Sequence, residues 1–313
     1  MSNNVVGLVS FLFTMTLEDE FRKIKTSINS DEIIKFPRNQ EKKLMNSNIE
    51  NSYNFDEFPD MLIRSDYNGL FNKKIKEGLA SNIFQNVMEK DILKNNNSFS
   101  FEFNEEKKDI TLLGAKPWVI VVDRSVDSNI QSPMYWSDLL DIRYEDKIGI
   151  QGKKDKFCGT LLLHTHKEYG VNGIEALANN IKNVWHFTDI IKSLGKGKSS
   201  AAPINIMPLT NAMMIVNKEP IEIIWPEEGA LATPIYMLVK REKVEELKDY
   251  IKYIIGNEFE KLLIKNHFYS VHNKLDDKKL KWLGWQYINN INSSLDKHKE
   301  YLNDVFRNNM RIH

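Results

Sequence analysis

Among 313 residues there is one cysteine, Cys158. A disulfide framework is excluded, and the usage favours a reducing compartment. Charge of one sign is not in surplus: 43 Lys and Arg stand against 43 Asp and Glu, a formal net charge of zero. Binders of nucleic acid or of anionic membranes usually carry a basic excess, so neither partner is expected. The apolar run Val5–Phe13 is far too short to span a bilayer. It also lacks the signs of a secretory leader, with Ser2-Asn3-Asn4 where Lys or Arg would stand and no small-residue cleavage site behind it. No cysteine lies nearby to accept a lipid. The run reads as the first core strand of a cytoplasmic chain without membrane insertion. An extracellular or periplasmic location follows only if a leader precedes Met1.

Other absences narrow the chemistry. No Cys and His cluster has zinc spacing, so neither a metal nor a cofactor is expected. His164 and His166 lie two apart on a predicted helix and point to different faces, which suits structural roles. Lys192–Ser199 contains Gly-Lys-Gly-Lys-Ser, but the spacing of a phosphate loop fails and the stretch follows a helix rather than a strand. No internal repeat, coiled coil or long linker is present.

What is present is ordinary for a folded chain: 42% hydrophobic and 27% charged residues. The length suits about two domains. The stretch Trp225–Val239 organises the rest. Pro226 and Pro234 forbid a continuous helix, Gly229 permits a tight turn, and Ile235–Val239 is an uncharged β-rich run. A second apolar strand, Trp118–Val122, stands a domain's length earlier. Between and around them, strands at 60–65, 148–151, 204–207 and 221–225 alternate with helical segments, the pattern of parallel α/β sheets. Phe99, Phe101 and Phe103 alternate with polar residues and suggest a half-buried strand in a surface hairpin.

Several stretches together resemble a known family. Trp225–Val239 is similar to the segment in which solute-binding proteins of ABC importers return from their second lobe to their first. Pro59-Asp60-Met61-Leu62-Ile63 resembles that family's Pro-Asp and apolar strand of lobe one. Pro133–Leu140 resembles its helix start, with Trp136 and Ser137 in swapped order, and Lys147–Ile150 matches the strand that follows. Trp282-Leu283-Gly284-Trp285 is similar to a leaderless subgroup of anaerobes. The resemblance covers roughly residues 55 to 290. It implies an α/β fold of the type II periplasmic-binding-protein kind, a two-lobed Venus flytrap with parallel-rich sheets. Residues 1–116 with 233–313 would form lobe one and 117–232 lobe two, joined by two hinge crossings, with a ligand cleft between them. The implied activity is non-enzymatic binding of a small polar solute, anionic or metal-containing, by an importer component with an ABC permease as partner or by a cytoplasmic relative. Ferric-ion binders of the wider family use two adjacent tyrosines, and no Tyr-Tyr pair occurs here.

Ligands of open α/β sheets sit at the carboxyl ends of strands. That rule nominates Thr14 after the first strand, Ser65, Asp66 and Tyr67 after the second, Gln151 and Gly152 after Ile148–Ile150, Thr210 and Asn211 after Ile204–Met207, and Glu228 and Gly229 in the returning turn. Trp118, Tyr67 and Trp225 are aromatic candidates for the cleft wall. Helix starts and hydroxyls would favour an anion, whereas Asp66 or Glu228 would favour an amine or a metal. The alternative is an enzyme on the same fold: Cys158 precedes Gly159 at a predicted helix start, where a thiol becomes more acidic and nucleophilic.

Overall fold

The structure, a computed structural model, describes residues 4–310 apart from 53, 89–98, 101, 104–108, 153–156, 273–277 and 292–294. In chain order its first elements are β1 (Asn4–Leu8), α1 (Phe11–Ile28), β2 (Ile33–Lys35), α2 (Asn39–Glu50), β3 (Met61–Arg64), α3 (Asn68–Phe71), α4 (Lys73–Ala80) and β4 (Thr111–Asp123). Then come β5 (Ile148–Gln151), α5 (Gly159–Asn179), β6 (Ile181–Trp185), α6 (Phe187–Ser193), β7 (Ile204–Pro208), α7 (Leu209–Ala212) and β8 (Ile221–Ile224). The last are β9 (Ala230–Val239), α8 (Lys248–Ile254), α9 (Asn257–Lys265), β10 (Tyr269–Ser270), β11 (Leu280–Lys281), α10 (Gly284–Asn290) and α11 (Leu295–Asn309). They form two compact units, residues 1–115 with 233–275 and residues 116–232 with 276–313. Both are α/β, as expected.

In unit 1, β1 is the parallel partner of both β2 and β3, and β3 pairs antiparallel with the end of β9. Strands β3 and β9 are buried throughout, as continuous apolar runs covered on both faces are. Asp60 fixes the start of β3: its carboxylate accepts from the Asn4 amide at 2.9 Å and from Lys240 Nζ at 2.8 Å. The expected first strand, Val5–Phe13, is corrected to β1 alone. The chain turns at Val9-Ser10 because Phe13, Leu17 and Phe21 recur every four residues and are buried as one helical stripe. Phe13 stacks on Phe268 at 4.7 Å and Phe21 meets Tyr250 at 5.1 Å, which docks α1 on this unit. Residues 99–100 and 102–103 are helical rather than a strand, with Phe99 and Phe103 four apart on one buried face. The rest of the expected hairpin at 91–108 lies largely outside the described residues.

In unit 2, β5 stands between its parallel partners β6 and β7, and β4 pairs antiparallel with β7 and β8. Edge strand β6, only half-buried and carrying Lys182 and Asn183, lacks the uniform apolar run that announces its neighbours. The sequence reading assigns residues 233–313 to lobe one; residues 276–313 instead group with unit 2, so the chain passes between the units three times, not twice. The cause is the apolar face of α11, where Leu302 and Phe306 are buried, with Phe306 4.8 Å from Phe157 at the start of α5. Two glycines hold backbone that other residues adopt poorly: Gly170 (φ 63°) kinks α5, and Gly229 (φ 111°) passes so near the Lys279 carbonyl that a Cβ would sit 2.9 Å from it.

Candidate functional site at the carboxyl edges of the sheets

In unit 1 the parallel strands β1 and β3 end side by side, with Leu8 opposite Arg64. Their carboxyl edge therefore gathers the start of α1 and the Ser65-Asp66-Tyr67 loop. Arg64 is 1% exposed. Its Nε and Nη2 each donate to Asp66 at 3.1 Å, and Nη2 also donates to Asn46 Oδ1 at 2.8 Å. The Asp66 carboxylate is thus occupied by a guanidinium, and the loop is pinned by it. Lys42, from α2, donates to the Val9 carbonyl at 2.6 Å, which places its amine beside the β1–α1 turn. Burial lowers the Lys42 pKa, Asp66 opposes that shift and Arg64 adds to it. Two basic side chains thus stand beside one carboxylate at this edge. The backbone N–H groups that open α1 add donors to it, and the buried Ser10 Oγ at its cap makes no hydrogen bond among the described residues.

Of the residues expected here, Ser65 and Tyr67 are buried in unit 1, so Tyr67 does not offer an exposed wall. Thr14 is not in a loop: it lies within the first turn of α1, its hydroxyl donating to the Ser10 carbonyl at 3.2 Å. Ser10, Lys42 and Arg64 escape the sequence reading. Only Ser10 left a trace there, as an N-cap residue type ahead of the Phe13, Leu17, Phe21 stripe.

In unit 2, Ile150 is level with Ile206 in parallel strands, so Gln151-Gly152 and Thr210-Asn211 follow adjacent strands at one edge. The Gly152 amide donates to the Trp185 carbonyl at 2.9 Å, bringing the end of β6 to the same edge. Gln151, Gly152 and Asn211 are partly exposed, whereas Thr210 is buried. His186 caps α6, its ring accepting from the Thr188 amide at 3.5 Å.

The family of bacterial extracellular solute-binding proteins matches residues 56–290. This chain belongs to that family. Solved structures place the fold of the solute-binding protein in the same group. An ABC transporter protein from Clostridium perfringens superposes with a TM-score of 0.68 at 14% identity, covering 96% of this chain and 99% of that one. Trichodesmium IdiA (FutA), in complex with iron and citrate, gives 0.65 at 14% identity over 99% of both chains. Mannheimia haemolytica ferric iron-binding protein A, in an open conformation, gives 0.61 at 15% identity over 98% of both. Among curated proteins none matches the chain.

The remaining expected residues of this solute-binding protein have internal duties. Glu228 Oε1 accepts from the Trp136 amide at 2.8 Å and Oε2 from Lys281 Nζ at 2.9 Å. The Trp136 indole donates to the Gly229 carbonyl at 2.8 Å. The returning turn, where Glu228 and Gly229 were expected as ligand contacts, is therefore clamped to the 3-10 turn Trp136–Leu140 and to β11. Trp118 is buried, and the half-exposed Trp225 spends its N–H on the Lys279 carbonyl at 2.9 Å. Cys158 does cap α5, but it is 6% exposed, and burial pushes its thiol up to about 11. It is held as a thiol at neutral pH, the opposite of an activated nucleophile. Among the described residues no helix is long and apolar enough to cross a membrane.

Proposed function

We propose that this solute-binding protein takes a small anionic solute and that the Ser10, Lys42 and Arg64–Asp66 edge of unit 1 supplies its positive contacts. The observation that carries the reading is the set of donors at the unit 1 edge: Asp66 is paired with buried Arg64, and Lys42 and the N-terminus of an 18-residue helix lie beside that pair. An amine ligand would need that carboxylate, and taking it would strip Arg64. Handing the solute to an ABC permease is the transport role this reading implies.

Citrate, bound together with iron by the Trichodesmium protein, and inorganic phosphate are the first probes. Calorimetric titration of the wild-type chain should show binding of at least one of them. Lys42→Met, which removes one charge while keeping the stem, should weaken it by about tenfold or more, the loss of a charge-assisted contact. Equal binding by wild type and Lys42→Met would move the site away from this edge.

A further inference from the structure

Three side chains that the solute-binding reading leaves unused converge within unit 2. His166 projects from α5, Tyr287 from α10 and His298 from α11. The Tyr287 hydroxyl lies 2.9 Å from His166 Nδ1 and 3.2 Å from His298 Nε2, and the two imidazole rings are 5.1 Å apart. We propose that His166, Tyr287 and His298 form a binding site for a first-row transition-metal dication of the Cu2+ or Zn2+ kind, with two imidazole nitrogens and one phenolate oxygen as ligands.

The two oxygen–nitrogen distances, 2.9 and 3.2 Å, suit it. Bonds of about 2.0–2.1 Å to nitrogen and oxygen place the donors of a tetrahedral ion about 3.3 Å apart. The donor set discriminates as well: imidazole draws Cu2+ and Zn2+, whereas Mg2+ and Ca2+ prefer shells of oxygen. A neutral imidazole offers one nitrogen lone pair free of a proton. Among the described residues no three His, Cys, Asp or Glu side chains are grouped to hold a metal. The phenol supplies the third ligand here, and a fourth position is left for water.

Protons balance simply. Without metal, Tyr287 donates its O–H to one imidazole and accepts an N–H from the other. On binding, the donating imidazole moves its proton to its outer nitrogen, the phenol loses its proton to solvent, and the ion takes the three lone pairs. One proton is released per metal, and no redox step is involved.

The experiment is titration of the full chain, without an affinity tag, with CuCl2 while visible absorption is recorded. A phenolate-to-copper charge-transfer band should grow and saturate near one equivalent. Tyr287→Phe, which keeps the ring and its packing, should abolish the band. His166→Gln and His298→Gln should weaken binding by more than tenfold, since even residues behind the ligands cost about 10–100-fold. A large excess of ZnCl2 should weaken the band by competition, since such sites hold Cu2+ more tightly than Zn2+. Copper held by the other histidines gives no phenolate band, so its absence from wild type overturns the proposal, as does its survival in Tyr287→Phe. Should either histidine variant fail to fold, the tyrosine variant still decides.

Discussion

Arg64 and Asp66 are two positions apart and work as one unit. A buried guanidinium must keep its partners, because stripping one leaves donors desolvated at a cost of about 1–3 kcal/mol, more for a charged group. Asp66→Ala should therefore lower the stability of the ligand-free protein as well as any affinity, and thermal melting without ligand checks it. An unchanged melt would return Asp66 to the role of a direct ligand contact. Cys158 offers a second check at this scale. A buried thiol pushed up to about 11 should react with a soluble disulfide reagent at neutral pH far more slowly than a small free thiol, and react freely once the chain is unfolded. Fast reaction of the native protein would favour the enzyme reading. The types of these residues were legible in the sequence; their commitments were not. Nothing in the pattern tells that Glu228 is taken by Trp136 and Lys281, or that Lys42, in a polar Asn-rich stretch, reaches the Val9 carbonyl.

At the scale of elements, the long buried strands were readable because a run covered on both faces needs no polar residue, as in Ile235–Val239 and Val119–Val122. Short or half-buried elements were not. Strand β2 has three residues, β6 sits at an edge, and the β1–α1 junction is hidden inside a single apolar run. The placement of α11 was missed because an amphipathic helix announces that it packs, not what it packs on. Phe306 and Leu302 dock it on unit 2, so Phe306→Ala should destabilise the fold by about 3–5 kcal/mol, the usual range for a buried Phe lost from a core. Denaturant melts measure this, and a cost below about 1 kcal/mol would mean that α11 is only loosely docked. Asp60 is a third lever, since it joins β1, β3 and Lys240 through one carboxylate with little exposure. Breaking such a buried pair from one side costs about 3–5 kcal/mol, so Asp60→Ala should be among the most damaging single changes in unit 1.

For the whole molecule, pH should act through buried His164 and the half-buried His166 and His298. His164, His166 and His298 all lie below the ordinary value of 6.5, chiefly through burial, with His298 at about 4. In that window the unfolded chain binds protons that the native protein refuses, so stability is full above about 6.5 and falls as pH drops towards 4. His298→Gln should flatten that fall, and identical pH profiles would show that His298 takes no part. The two-lobed family was legible because its motifs, from Pro59-Asp60 to Trp282–Trp285, are spread in order along the chain. The solute was not, since its recognition depends on which side chains meet at the strand ends. That recognition is most directly tested by native mass spectrometry of the wild-type chain and Lys42→Met, each incubated with carboxylates, inorganic phosphate and size-matched amines in competition. The expected result is selective retention of an anion by wild type, lost in Lys42→Met; retention of an amine in preference to every anion would contradict it.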